Sequence, residues 1–188
     1  GGEFSQSEAE ALLDAITYNN ASDAPSSGDR VFDVVVNDGD TDSSAVQKTI
    51  TVAPTNDTPT VTLASGSDTY TEIDGSDATS NDVAFGSGGS TEISDLDGSS
   101  DGFASLTLTF DQADIQDGSD EQLLVGGSTI GLNATANAAD LTNTISGVQF
   151  SVAVTDPDGS TRAVAFTQKG GGEFSQSEAE ALLDAITY

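Results

Sequence analysis

Apolar and polar residues alternate along most of this chain, with a period that starts near 3.6 residues and then drops to two. In Ser7–Ile16, Ala9, Leu12, Leu13 and Ile16 fall at i, i+3, i+4 and i+7, which lays one apolar stripe along a helix of about three turns. Ser7 with Glu10 fits a capping box at its start. A helix this short is not stable alone in water, so it is predicted to lie against a sheet. Ile16–Tyr18 turns β-like, and 19–28 (NNASDAPSSG) is a polar loop. Arg30–Val36 (RVFDVVV) and Val46–Val52 (VQKTITV) read as strands, the second with Val46, Lys48, Ile50 and Val52 on one side. The tight acidic turn 37–43 (NDGDTDS) makes the two strands a hairpin. Residues 53–59 (APTNDTP) set two prolines around Asn-Asp, which disfavours helix and predicts a stiff linker between domains.

Beyond the linker, Thr60–Leu63 is a short strand, and 76–90 is rich in Gly, Ser and Asp with Val83 and Phe85 as apolar anchors. Residues 92–102 (EISDLDGSSDG) read as an acidic loop. Leu106, Leu108 and Phe110 alternate as a half-buried strand. Leu123–Val125, Ile130–Leu132 and Leu141–Ile145 are weaker elements, the last a candidate helical turn. Gly147–Thr155 is predicted to bury Val148, Phe150, Val152 and Val154, and DPDGS at Asp156–Ser160 turns the chain into Thr161–Thr167. Many short alternating strands with frequent turns and few helical segments predict a mainly β fold, an antiparallel β-sandwich.

The chain contains one stretch twice. Gly1–Tyr18 and Gly171–Tyr188 both read GGEFSQSEAEALLDAITY, 170 residues apart. Eighteen identical positions are not chance, and the period suits one whole domain per repeat, with one short helix in each. The chain is therefore expected to be a window on a tandem array, cut out of register with its domains. With the boundary at the linker, 1–57 is the C-terminal part of one repeat and 58–188 the N-terminal part of the next. Thr58–Tyr188 followed by an equivalent of Asn19–Asp57 accounts for the full period. Because the hairpin precedes the sandwich it would complete, head-to-tail complementation between chains is also expected, the hairpin of one molecule serving its neighbour.

Composition narrows the chemistry. Four basic residues stand against thirty-two acidic ones, for a net charge of −28. Such a surface excludes nucleic acid as a partner, because almost no cation faces phosphate. No apolar run approaches the roughly eighteen residues of a membrane span, so no membrane insertion is expected. The chain has no Cys and no His, which removes disulfides, thiolate nucleophiles and the usual zinc or copper ligands. Hard carboxylate and carbonyl oxygens remain, and they suit Ca2+.

AEALLDAITYNNASDAPSSGDRVFDVVVNDG, closing on KTITVAPTNDTPTVTL, resembles the cadherin-like (Ig-like) β-sandwich repeats of giant bacterial surface adhesins. These are the repeats-in-toxin (RTX) type proteins exported by type I secretion and associated with biofilms. In that family a repeat starts after the linker, with a Tyr-Thr-Glu segment early, an Asp-rich loop next and the short helix late. Tyr70-Thr71-Glu72, Asp95-Leu96-Asp97-Gly98 and Ser7–Ile16 match those marks. The glycine-rich nonapeptide of the wider group is absent. The resemblance implies an extracellular stalk on the bacterial surface, made of neighbouring repeats with calcium-rigidified linkers, that projects a ligand-binding tip.

Candidate metal ligands follow from carboxylate spacing. Asp95, Asp97 and Asp101 alternate in DLDGSSD, with Gly98 permitting a sharp turn. Asn56 and Asp57 of the linker and Glu72 of the next segment are placed to converge at the domain junction, and Asp38 and Asp40, with Asp42, lie in the hairpin turn. Together they make a candidate interdomain calcium cluster. The plainer alternative is that Asp-Gly turns only build hairpins and that the acid keeps the chain soluble. No enzyme is expected, since the carboxylates lie outside aromatic-rich stretches and the usual nucleophile contexts are missing. The alternative function is a ligand-binding module for carbohydrate or peptide. Three Tyr, eight Phe and no Trp, several of the Phe at core positions of strands, make a poor exposed aromatic platform for it.

Overall fold

The computed structural model describes residues 4–63, 68–71, 82–86, 91–95, 97 and 102–188. They belong to two units, 1–56 and 57–188, whose strand pairs are all antiparallel.

The N-terminal unit holds helix α1 (Gln6–Ala15) and strands β1 (Gly28–Val34) and β2 (Val46–Val52). The hairpin runs in register from Gly28 opposite Val52 to Val34 opposite Val46. Opposed residues share a face, so Phe32, Val34, Val46, Ile50 and Val52 lie together on one side. The capping box of α1 is Ser5 with Glu8, not Ser7 with Glu10. Ser5 has the extended backbone an N-cap needs (φ −69°, ψ 160°), and its hydroxyl accepts the Glu8 N–H while Glu8 accepts the Ser5 N–H. Ser7 is already inside the helix.

The C-terminal unit contains β3 (Thr60–Thr62), β4 (Glu92–Ser94), β5 (Leu106–Asp111), β6 (Gln122–Val125), β7 (Ser128–Gly131), β8 (Ala136–Asp140), β9 (Phe150–Thr155), β10 (Thr161–Gln168) and α2 (Gln176–Asp184). Four strands form one sheet in the order β5-β10-β9-β8; β3 pairs with β4, and β6 with β7. Glu92–Ser94 is thus a strand, not loop, because Ile93 is buried opposite Val61. Leu141–Ile145 makes no helical turn. Ser146 and Gly147 both take positive φ and close a tight turn between Ile145 and Val148. β8 has no apolar alternation in ANAAD and lies at the sheet edge, fully exposed along its length.

Period-two alternation builds the core. Leu106, Leu108, Val164, Phe166, Val152 and Val154 meet on one face through the β5-β10-β9 register. Leu123, Val125, Ile130 and Leu132 come from the β6–β7 segment, and Ala179, Leu182 and Leu183 from α2. Phe174 meets Phe150 edge-on at 5.2 Å. After α2 the chain runs extended: Thr187 exchanges backbone hydrogen bonds with Leu124, and Tyr188 with Val83. Burial and the Glu121 carboxylate, which accepts the phenol's hydrogen bond at 2.9 Å, push the Tyr188 phenol up to about 12.

The two copies of the repeated segment share local structure and differ in environment. Phe4 is 73 % exposed, Leu12 54 % and Ile16 68 %, whereas Phe174, Leu182 and Ile186 are each 0 % exposed. Complete burial of such a side chain is worth about 1.5–3 kcal/mol, so the stripe stabilises the C-terminal unit and does little for the first. Leu182→Ala is therefore expected to cost about 2–5 kcal/mol in denaturant unfolding. Leu12→Ala, the same change in the same local sequence, should stay within about 0.5 kcal/mol. Equal losses from the two variants would contradict this difference in burial.

Candidate metal centre

The antiparallel pairing of β3 with β4 decides where the predicted ligands fall. Thr60 lies opposite Ser94, so the start of β3 and the end of β4 share one end of the ladder. Asp57 precedes β3 and Asp95 and Asp97 follow β4, so the pairing draws the linker's end onto the acidic loop. The Asp57 backbone N–H donates to Asp97 Oδ2 at 2.6 Å, and the Asp97 N–H donates to Asp95 Oδ1 at 3.3 Å. Asp97 is 6 % exposed.

A buried carboxylate is costly unless something balances its charge. None of the ion pairs among the described residues reaches Asp97; they join Arg162 to Asp156 and Lys169 to Asp140. Arg30 spends its guanidinium on the Ser26 and Gly28 carbonyls. Among the described residues, the donor found on the Asp97 carboxylate is one backbone N–H. That leaves the hard carboxylate oxygens of Asp95 and Asp97 close together, the kind of donor that hard cations take.

Asn56 is exposed and ends the N-terminal unit. Glu72 and Asp101 lie outside the described residues. Among the described residues, no three acidic side chains converge as a metal-binding group. Asp38 and Asp40 sit in a turn that explains itself locally. Asp38 Oδ1 accepts the N–H groups of Asp40 and Thr41 at 3.0 and 2.9 Å, Asn37 Oδ1 accepts the Gly39 N–H, and Asn37 Nδ2 donates to Asp42. The Asp38 carboxylate therefore serves as a turn-former.

One buried charge was not singled out from the sequence. Arg162 is 7 % exposed, and its guanidinium reaches Gln112 Oε1 at 3.0 Å, the Asn133 carbonyl at 3.4 Å and Asp156 at 3.6 Å. The signal was present: in TRAVAFT, Arg162 has the same parity as the core residues Val164 and Phe166. Its contacts close the end of the sheet core and bring no further metal ligand to Asp97.

The Thr41 N–H first, then that of Asp40, hold the Asp38 carboxyl below the usual carboxylate range. Because its folded value is depressed, the stability it contributes is full above the unfolded value and is lost as pH falls through the folded one. Carboxyl-carbon NMR titration in chelator should find an Asp38 midpoint below the ordinary Asp value. A midpoint at or above it would exclude the turn-former role. No helix among the described residues is long and apolar enough to cross a membrane. No protein-family model, curated protein or solved structure matches this chain.

Proposed function

We propose that this chain is a structural extender from the stalk of a large, secreted bacterial surface adhesin of the RTX type, stiffened by Ca2+. The observation that carries this reading is the recurrence of one eighteen-residue segment at a domain-length period, in a form that is buried as part of a domain core. A tandem array of domains with short linkers is what a spacer requires. In this reading each repeat is an Ig-like or cadherin-like sandwich. The β5-β10-β9-β8 sheet is one layer, and β3–β4 and β6–β7, with α2, supply the other. Neighbouring repeats are the partners, the setting is extracellular, and the role is mechanical, with no catalysis.

The tie from Asp57 to Asp97 supports a stiff junction, since it anchors the linker to the domain that follows. Asp57, Asp95 and Asp97 would hold the ion, with Asn56, Glu72 and Asp101 as further oxygen donors, while the Asp38 carboxylate stays committed to its own turn. Ca2+ supplies the positive charge that a buried carboxylate in a chain of net charge −28 otherwise lacks. Because only the folded state gathers these groups, binding energy becomes folding energy.

Calcium a hundredfold above its Kd should add about 2.7 kcal/mol, which raises Tm by on the order of 5–10 °C for a chain of this size. Asp97→Asn, which keeps an acceptor for the Asp57 N–H, should abolish most of that gain, and Asp23→Ala should leave it intact. Identical melting curves in excess chelator and in millimolar calcium would refute the calcium reading.

A further inference from the structure

We propose that an open apolar groove in the C-terminal unit receives the β1–β2 hairpin of a second copy of this chain. The groove measures about 380 Å³ and runs between β3 and β5, with one wall formed by α2 and the segment before it. Val61, Leu63, Leu106, Leu108, Phe174 and Leu183 line it. Val61 is 61 % exposed, and Leu63 is exposed as well. Both strands beside the groove are edges among the described residues: β3 pairs with β4 alone and β5 with β10 alone. Leu106 and Leu108 are only half-buried, while their register partners on β10, Phe166 and Val164, are sealed from solvent. Two bare edges flanking an apolar trough make a place for more strand.

The chain itself identifies the occupant. After the first copy of the repeated segment, the next element is the β1–β2 hairpin, nine residues beyond Tyr18. Nine extended residues reach about 30 Å, and the docked copy of the segment already forms a wall of the groove through Phe174, Ala179 and Leu183. A hairpin in sequence with a docked helix therefore belongs within reach of this trough. The hairpin carries the complementary surface. Phe32, Val34, Val46, Ile50 and Val52 share one face, and Phe32 and Val46 are exposed on it.

Charge agrees with this assignment. Arg30 and Lys48, half of the chain's basic residues, sit on the same face of the hairpin. The basic residues of the C-terminal unit, Arg162 and Lys169, are engaged with Asp156 and Asp140. Arg30 and Lys48 lie in the two central rows of that face, beside Ile50 and Phe32, and bring positive charge to an acidic unit. The seven residues between β2 and β3, stiffened by Pro54 and Pro59, favour a hairpin delivered by a neighbour over one folded back. The contact is heterologous, hairpin to groove, so it propagates as open chains of molecules. It stands on the repeat and the groove alone and holds with or without calcium.

The test is sedimentation of the whole chain in chelator, and again in calcium, across a dilution series. The wild-type weight-average mass should rise with concentration above the 19.0 kDa monomer. Phe32→Asp on the hairpin and Val61→Asp in the groove should each weaken association at least tenfold. Val46→Asp serves as a second hairpin variant if Phe32→Asp fails to fold. Mixed in equal amounts, a hairpin variant and the groove variant retain one intact groove and one intact hairpin between them, so they should form a dimer and nothing larger. A wild-type monomer at every concentration overturns the proposal, and with β1 and β5 both protected from hydrogen exchange it means that the chain closes on itself. Association indifferent to both substitutions, or a mixture that stays monomeric, also overturns it.

Discussion

The C-terminal unit depends on burying one apolar stripe, Phe174, Ala179, Leu182, Leu183 and Ile186, against the inner face of a four-stranded sheet. The sheet's own residues, Phe150, Val164 and Phe166, are sealed partly by that helix. The segment after it then ties in Val83 and Leu124 by backbone hydrogen bonds. α1 has the same letters, the same capping box and the same fold as a helix, yet it buries none of its residues. Capping and propensity are local and travel with the sequence. Burial is tertiary and depends on what the segment meets.

Among the described residues, several carboxylates are used inside their own turns and others reach across the fold. Asp38, Asp156 and Asp158 accept backbone N–H groups within their own turns. Asp158, bonded by the N–H and hydroxyl groups of Ser160 and Thr161, is held well below the usual range. Such groups face water and shape hairpins. Asp97 differs because it is buried and its acceptor is used across forty residues of sequence, by Asp57. In so acidic a chain, the buried carboxylate is the informative one.

Period-two alternation made β5, β9 and β10 legible in the sequence, since Leu106, Phe150 and Val164 each sit in a run where every second residue is apolar. The hairpin of β1 and β2 was legible for the same reason, with its turn marked by Asn37 and Gly39. β8 was not legible: its Ala, Asn and Asp residues carry no pattern, and it is held by sheet hydrogen bonds to β9 and by the Asp140 carboxylate, which accepts from Ser151 and pairs with Lys169. β4 was masked by its own acidic neighbours, although Ile93 is a core residue. Asp57, grouped with Asn56 and Glu72, and Asp97, grouped with Asp95 and Asp101, could both be named as members of one acidic cluster. That the bond between them uses a backbone N–H could not be read, because it depends on the β3–β4 register.

The tie between Asp57 and Asp97 also defines a route for force. Tension arriving along the linker meets this bond first, then the three residue pairs that join β3 to β4. β4 is itself held where the Ile93 N–H donates to Glu180 of α2. In a chain pulled along its linker, load would enter through these two short strands and reach α2.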